Sequence, residues 1–181
     1  TDGSDIQHLT MAIDGTLYSY VEVSGDAHAT SGDGGVYRIT GMAETDDFLL
    51  DDVDDDVASL DLVGDLGGAS LVAGTDGTAA AAAPDSVWYS TDDGDNWDET
   101  AKEPTGITAA KNLVVIDEDF ADNGVALSAS DATEEGGLHR TTDFGATWNG
   151  ISMLDTDMDG DAHDLSLAPD YVSGSATAPL F

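Results

Sequence analysis

Ser86-Val87-Trp88-Tyr89-Ser90-Thr91 decides how the rest of the chain is read, because two other segments repeat it: Gly35-Val36-Tyr37-Arg38-Ile39-Thr40 and Gly137-Leu138-His139-Arg140-Thr141-Thr142. Tyr37, Trp88 and His139 hold the same place and stand 51 residues apart each time. A fixed period of this length is the mark of one supersecondary unit stacked several times. In such an array a residue recurs first because the fold needs it.

A matched loop follows two of the three segments. One copy reads Ser90-Thr91-Asp92-Asp93-Gly94-Asp95-Asn96-Trp97 and the other Thr141-Thr142-Asp143-Phe144-Gly145-Ala146-Thr147-Trp148. Both fit S/T-x-D-x-G-x-T/N-W. Gly94 and Gly145 suit a turn that needs positive φ. Asp92 and Asp143 can accept hydrogen bonds from loop amides, and Trp97 and Trp148 can cover a hairpin with a large apolar ring. The pattern resembles the Asp-box, or bacterial neuraminidase repeat. That resemblance implies a β-propeller with Ser90, Asp92, Gly94, Trp97, Thr141, Asp143, Gly145 and Trp148 as structural residues of hairpins between the last two strands of a blade.

The resemblance fades in the first unit, where Gly41, Ala43 and Asp46 stand in the places of Asp92, Gly94 and Trp97. A second half-motif supports the array: Asp119-Phe120-Ala121-Asp122-Asn123-Gly124 and Asp170-Tyr171-Val172-Ser173-Gly174-Ser175 align with Phe120 and Tyr171 again 51 apart. It is similar to a hairpin that related propellers carry between their first two strands. Asp14-Gly15-Thr16 and Asp76-Gly77-Thr78 are read as earlier copies of that turn.

Working outward, strands are expected over residues 6–13, 16–23, 36–40, 60–66, 69–73, 79–83, 87–90, 107–110, 113–116, 125–128 and 138–141. Residues 151–154, 165–168 and 175–180 are expected as strands of a fourth unit, and no segment carries a helical stripe. The 181 residues make about 3.5 units in one repeat domain, with units at 1–50, 51–101 and 102–152 and a partial one at 153–181. The fold class is therefore all-β, a propeller-type array. Propellers close with about four to eight blades, so a closed monomeric ring is not expected. Self-association, or completion by the remaining blades of a longer chain, is.

Composition bounds the partners. Thirty-one Asp and 7 Glu face 4 Lys plus Arg, a formal charge of −34. Asp favours turns over strands, which places the acid in hairpin tips. Such a charge has to be screened or neutralised by cations. Nucleic acid and anionic membranes are excluded as partners, since phosphate contact needs a basic patch. Cysteine is absent, so there is no disulfide. No stretch approaches the roughly 20 apolar residues of a membrane helix, and no signal peptide is read before Thr1, as in a mature or excised piece.

Two constellations invite chemistry. Sialidases, which the box brings to mind, hold their substrate carboxylate with three arginines. This chain has two, Arg38 and Arg140, at equivalent repeat positions, so they are read as packing or ion-pair residues and no catalytic residue is assigned. The run Asp155-Thr156-Asp157-Met158-Asp159-Gly160-Asp161-Ala162-His163-Asp164 has the alternating carboxylates and tight-turn glycine that let a loop converge on a hard cation. Ser166 stands where the bidentate Glu of an EF-hand would be. Asp155, Asp157, Asp159, Asp161 and Asp164 are thus candidate Ca²⁺ ligands on a β scaffold, with a solvated acidic turn as the alternative. Asp51, Asp52, Asp54, Asp55 and Asp56 form a second acidic run without the glycine, read as solvated. The four histidines share no metal-ligand spacing, although His163 adjoins the Asp155 run. Trp88 is read as packing rather than as a sugar platform.

These readings point to a non-enzymatic structural module of an extracellular or cell-surface assembly, surface-layer or filament-like, bridged by calcium. A glycan- or protein-binding propeller module of a larger secreted protein, and a fragment of a glycoside hydrolase, are the alternatives.

Overall fold

The computed structural model describes residues 4–23, 35–40, 46–50, 56–76, 87–104, 111–131, 136–154, 165–168 and 171. The protein is all-β. Its strands fall into three antiparallel sheets of four, each strand hydrogen-bonded to its neighbours in sequence. The first sheet holds β1 (Ser4–Met11), β2 (Leu17–Val23), β3 (Gly35–Ile39) and β4 (Asp46–Leu50). The second holds β5 (Asp56–Val63), β6 (Ser70–Asp76), β7 (Val87–Ser90) and β8 (Asp98–Glu99). The third holds β9 (Lys111–Ile116), β10 (Ala126–Asp131), β11 (Gly136–Thr141) and β12 (Asn149–Leu154). One residue pair, Asp76 with Lys111, carries the hydrogen-bond ladder from the second sheet into the third. The described strands close no barrel.

The sheets pack face to face, and the core lies between them. Tyr18 and Val36 of the first sheet meet Val57, Leu60, Leu71 and Ala73 of the second. Val72 and Val87 of the second meet Val114, Ile116, Ala126 and Trp148 of the third. Strand β6 shows the cause in one line. Leu71 and Ala73 point one way and Val72 the other, as the two-residue strand period requires, and all three are fully buried. A sheet covered on both faces needs a continuous apolar run instead of an alternating one. Each such Val or Leu contributes about 1.5–3 kcal/mol on burial.

Polar side chains stitch the second sheet to the third. Ser59 Oγ donates to the Asn112 carbonyl at 2.8 Å and accepts from Val114 N at 3.0 Å, and Asp61 Oδ2 accepts from Ile116 N at 2.8 Å. Gly74 is required where β6 and β9 approach, since a β-carbon there would collide with the Asn112 carbonyl oxygen.

The structure corrects several expectations. Residues 151–154 lie in β12 and pair with β11, closing the third sheet rather than opening a fourth unit. Asp76 ends β6, and the turn joining β5 to β6 lies earlier, at residues 64–69. Asp56 opens β5. Residues 165–168 have no regular secondary structure. The Phe120 half-motif forms a four-residue helix, α1 (Phe120–Asn123), ended by Gly124 in the left-handed region at φ 64°. The expected strands at 79–83, 107–110 and 175–180 lie outside the described residues, as do residues 51–55.

Candidate functional site

The two box loops are the densest polar constructions among the described residues, and their atoms correspond one for one. In the second sheet Ser90 Oγ donates to Asp92 Oδ1 at 2.9 Å and accepts from Gly94 N at 2.9 Å. Asp92 Oδ1 accepts from Asn96 N at 3.0 Å and Oδ2 from Asn96 Nδ2 at 2.7 Å. In the third sheet Thr141 Oγ1 donates to Asp143 Oδ1 at 2.8 Å and accepts from Gly145 N at 3.1 Å. Asp143 Oδ1 accepts from Thr147 N at 2.9 Å and Oδ2 from Thr147 Oγ1 at 2.6 Å. Each carboxylate is thereby committed to its own loop.

Electrostatics agree with that commitment. The side-chain hydrogen bond from Asn96, backed by the Asn96 amide and Ser90, holds the Asp92 carboxyl below its ordinary value. For Asp143 burial is the largest single influence and pushes upward, but the bonds from Thr147 and Thr141 together outweigh it and the carboxyl is again lowered. Carboxylates held ionised by hydrogen bonds are poor general acids near neutral pH.

The turn itself uses two consecutive residues of positive φ in each copy: Asp93 at 65° with Gly94 at 83°, and Phe144 at 62° with Gly145 at 99°. Asp visits this region readily, whereas a Phe there is strained. The side chain so displayed plugs the first hairpin of its own sheet. Asp93 N donates to the Ala69 carbonyl, while the Asp93 carboxylate accepts from Gly67 N at 2.7 Å, Gly68 N at 3.0 Å and Ala69 N at 2.7 Å. In the third sheet Phe144 N donates to the Gly124 carbonyl at 3.2 Å, and the Phe144 ring meets Phe120 edge to face at 5.6 Å. One position thus closes the same joint by charge in one sheet and by aromatic contact in the next. Sequence reasoning missed both residues because the motif treats this place as unspecified; its signal would have been the oddity of a Phe before the loop glycine.

Each loop is also gripped by the sheet before it. Arg38 Nη1 donates to the Asp93 carbonyl at 3.2 Å and pairs with Asp95 Oδ1 at 3.0 Å. The arginine side chain is 13% exposed and the aspartate's 59%. Tyr89, 51 residues after Arg38, lies against Gly145 so closely that a β-carbon there would sit 2.9 Å from Tyr89 Cβ. Backbone contacts add to the grip: Ala101 N donates to the Ala146 carbonyl and Trp148 N to the Lys102 carbonyl, both at 2.9 Å. Lys102 Nζ donates to Asn149 Oδ1 at 2.8 Å. At the same end of the sheets, Asp14 accepts from Thr16 N at 2.8 Å and from Leu66 N across the sheets at 3.0 Å.

The tryptophans belong to the packing. Trp148 is 1% exposed within the second core, and Trp88 and Trp97 pack against the first. His139 is buried. The candidate calcium ligands Asp155, Asp157, Asp159, Asp161 and Asp164, with His163, lie outside the described residues. Among the described residues no group of three or more His, Cys, Asp or Glu could hold a metal ion, and no helix is long and apolar enough to cross a membrane. No protein-family model matches the chain, and no curated protein matches it.

Proposed function

We propose that this chain is a non-catalytic structural module of an extracellular or cell-surface assembly, built as a β-propeller-type array of Asp-box units and bridged by calcium. The observation that carries the reading is the use made of the box loops. Asp92 and Asp143 hold their own turns, Asp93 and Phe144 hold the first hairpins, and the preceding sheet grips the loop through Arg38 or Tyr89. The polar investment of the described residues goes into cohesion between units. The propeller-type reading is supported by three successive four-stranded antiparallel sheets whose first strands, β1, β5 and β9, contact one another in turn.

The charge of −34 supplies the reason for a cation. Calcium takes oxygen ligands from alternating carboxylates, and Asp155, Asp157, Asp159, Asp161 and Asp164 are its proposed ligands on that sequence pattern. The test is the native mass by light scattering in millimolar calcium and then in chelator. A particle of several chains that dissociates on chelation, and fails to form in Asp157→Asn/Asp159→Asn, is the expected result. A single-chain particle under both conditions overturns the proposal.

A further inference from the structure

The chain holds two Asn-Gly pairs, Asn123-Gly124 and Asn149-Gly150. Such a pair can convert itself: the glycine backbone nitrogen attacks the asparagine Cγ, and glycine has no side chain to hinder the approach. Whether a given pair reacts is decided by the freedom of its atoms and by the charge around them. The fold treats the two pairs oppositely.

Asn123 ends α1 and is locked by hydrogen bonds. Its Nδ2 donates to Asp117 Oδ1 at 2.9 Å and its Oδ1 accepts from Val125 N at 2.7 Å. The nitrogen that would attack, Gly124 N, donates to the Phe120 carbonyl at 2.8 Å, and Gly124 is buried. Asp117, Asp119 and Asp122 lie in the same loop, and their charge opposes the negative charge that gathers on nitrogen and oxygen during attack.

Asn149 opens β12, which among the described strands is paired on one side only. Asn149 and Gly150 are both exposed, and the ladder with β11 slips directly after Gly150. A slipped ladder at a sheet edge opens locally at little cost. Charge favours the reaction here. Lys102 Nζ donates to Asn149 Oδ1 at 2.8 Å, which draws electrons from Cγ. Arg140 stands opposite Asn149 in the ladder, and cross-strand partners share a face. Two of the 4 basic residues in a chain of charge −34 thus stand at one amide. Cations so placed stabilise the oxyanion that develops during attack. The product fits as well. One period earlier the same place is held by Asp98, opposite Tyr89 as Asn149 is opposite Arg140, so the fold already accepts an aspartate there.

We propose that Asn149 is a site of spontaneous deamidation, promoted by Lys102 and Arg140, and that the fold protects Asn123 from the same reaction. Gly150 N gives its proton to solvent and bonds Asn149 Cγ. The Cγ–Nδ2 bond breaks, and the amide nitrogen leaves as ammonia with a proton taken from water. Water then opens the cyclic imide. Opening at Cγ leaves an aspartate at position 149, and opening at the main-chain carbonyl leaves its β-linked isomer. The sum is amide plus water to acid plus ammonia. An aspartate there turns the hydrogen bond from Lys102 into an ion pair between the second and third sheets.

The test holds the full chain in warm, mildly alkaline buffer, folded and in parallel unfolded in guanidinium chloride, and follows each asparagine by peptide mass mapping. Unfolded, both pairs should convert at similar rates. Folded, Asn123 should lag Asn149 by about 10-fold or more, since its hydrogen bonds have to open first. Lys102→Met should slow Asn149 by about 3-fold in the folded chain, the scale of one exposed charge contact, and leave the unfolded rates unchanged. Asn149 that stays intact in the folded chain while the unfolded chain converts, or Asn123 that keeps pace with it, overturns the site. A folded Lys102→Met chain that converts at the parent's rate overturns the part given to the cations.

Discussion

Asp92 and Asp93 are neighbours with opposite assignments, and the difference is a matter of where their donors come from. Asp92 is exposed and serves one loop. Asp93 is 8% exposed and its carboxylate is the acceptor for three consecutive backbone amides of another turn. Removing an acceptor from buried donors costs more than the bond itself gained. Asp93→Ala should therefore lower the unfolding free energy by about 2–3 kcal/mol in urea titrations, while Asp95→Ala, which removes a partly exposed ion pair, should cost under about 1 kcal/mol. Equal losses would mean that the three amides find water instead. The box carboxylates make a further claim about pH. Their folded pKa values are lowered, so their contribution is present above the ordinary carboxylate value of about 4 and fades as pH falls through the folded values. Asp143→Asn should be less stable than the parent at pH 7 by about 1 kcal/mol, with the gap closing as pH falls below the ordinary carboxylate value and through the lowered folded one. A gap that persists in acid would place the effect in packing rather than ionisation.

Most strands were legible in the sequence, because the 51-residue step aligns three apolar segments and the Gly and Asp turns separate them. β3, β7 and β11 lie where the repeat puts them. What escaped was set by contacts distant in sequence. β8 is two residues, too short to show a period, and exists because β7 offers it a partner. Asp76 looked like a turn by composition, yet its pairing with Asp56 and Lys111 keeps it extended. Gly74 gave no signal at all in an apolar run, although the close approach of β6 and β9 rests on it. Gly74→Ala should cost about 2 kcal/mol or more, since the added carbon meets a backbone carbonyl that side-chain rotation cannot relieve. Gly68→Ala makes the control, for that position opens onto space and should stay within about 0.5 kcal/mol of the parent. The two midpoints in urea, measured side by side, separate a packing requirement from the general effect of glycine replacement; equal shifts would remove the requirement.

Across the whole molecule the balance is between stacked apolar faces and a charge of −34 spread over them. The faces between sheets are well buried, but repulsion among acidic side chains acts on all three at once and opposes the compact state. Its range is about 10 Å at 0.1 M salt and about 3 Å at 1 M, so sodium chloride alone should raise the urea midpoint steadily between those concentrations. Screening of that kind is indifferent to the identity of the cation at equal ionic strength. Site binding is not, because ligand that binds the native state stabilises it in proportion to the logarithm of its concentration over its dissociation constant. Millimolar calcium chloride should therefore raise the midpoint well beyond sodium chloride of matched ionic strength, by an amount that Asp157→Asn/Asp159→Asn abolishes while leaving the sodium response unchanged. Coincident calcium and sodium curves would make the acidity a matter of screening alone and would overturn the proposed calcium site.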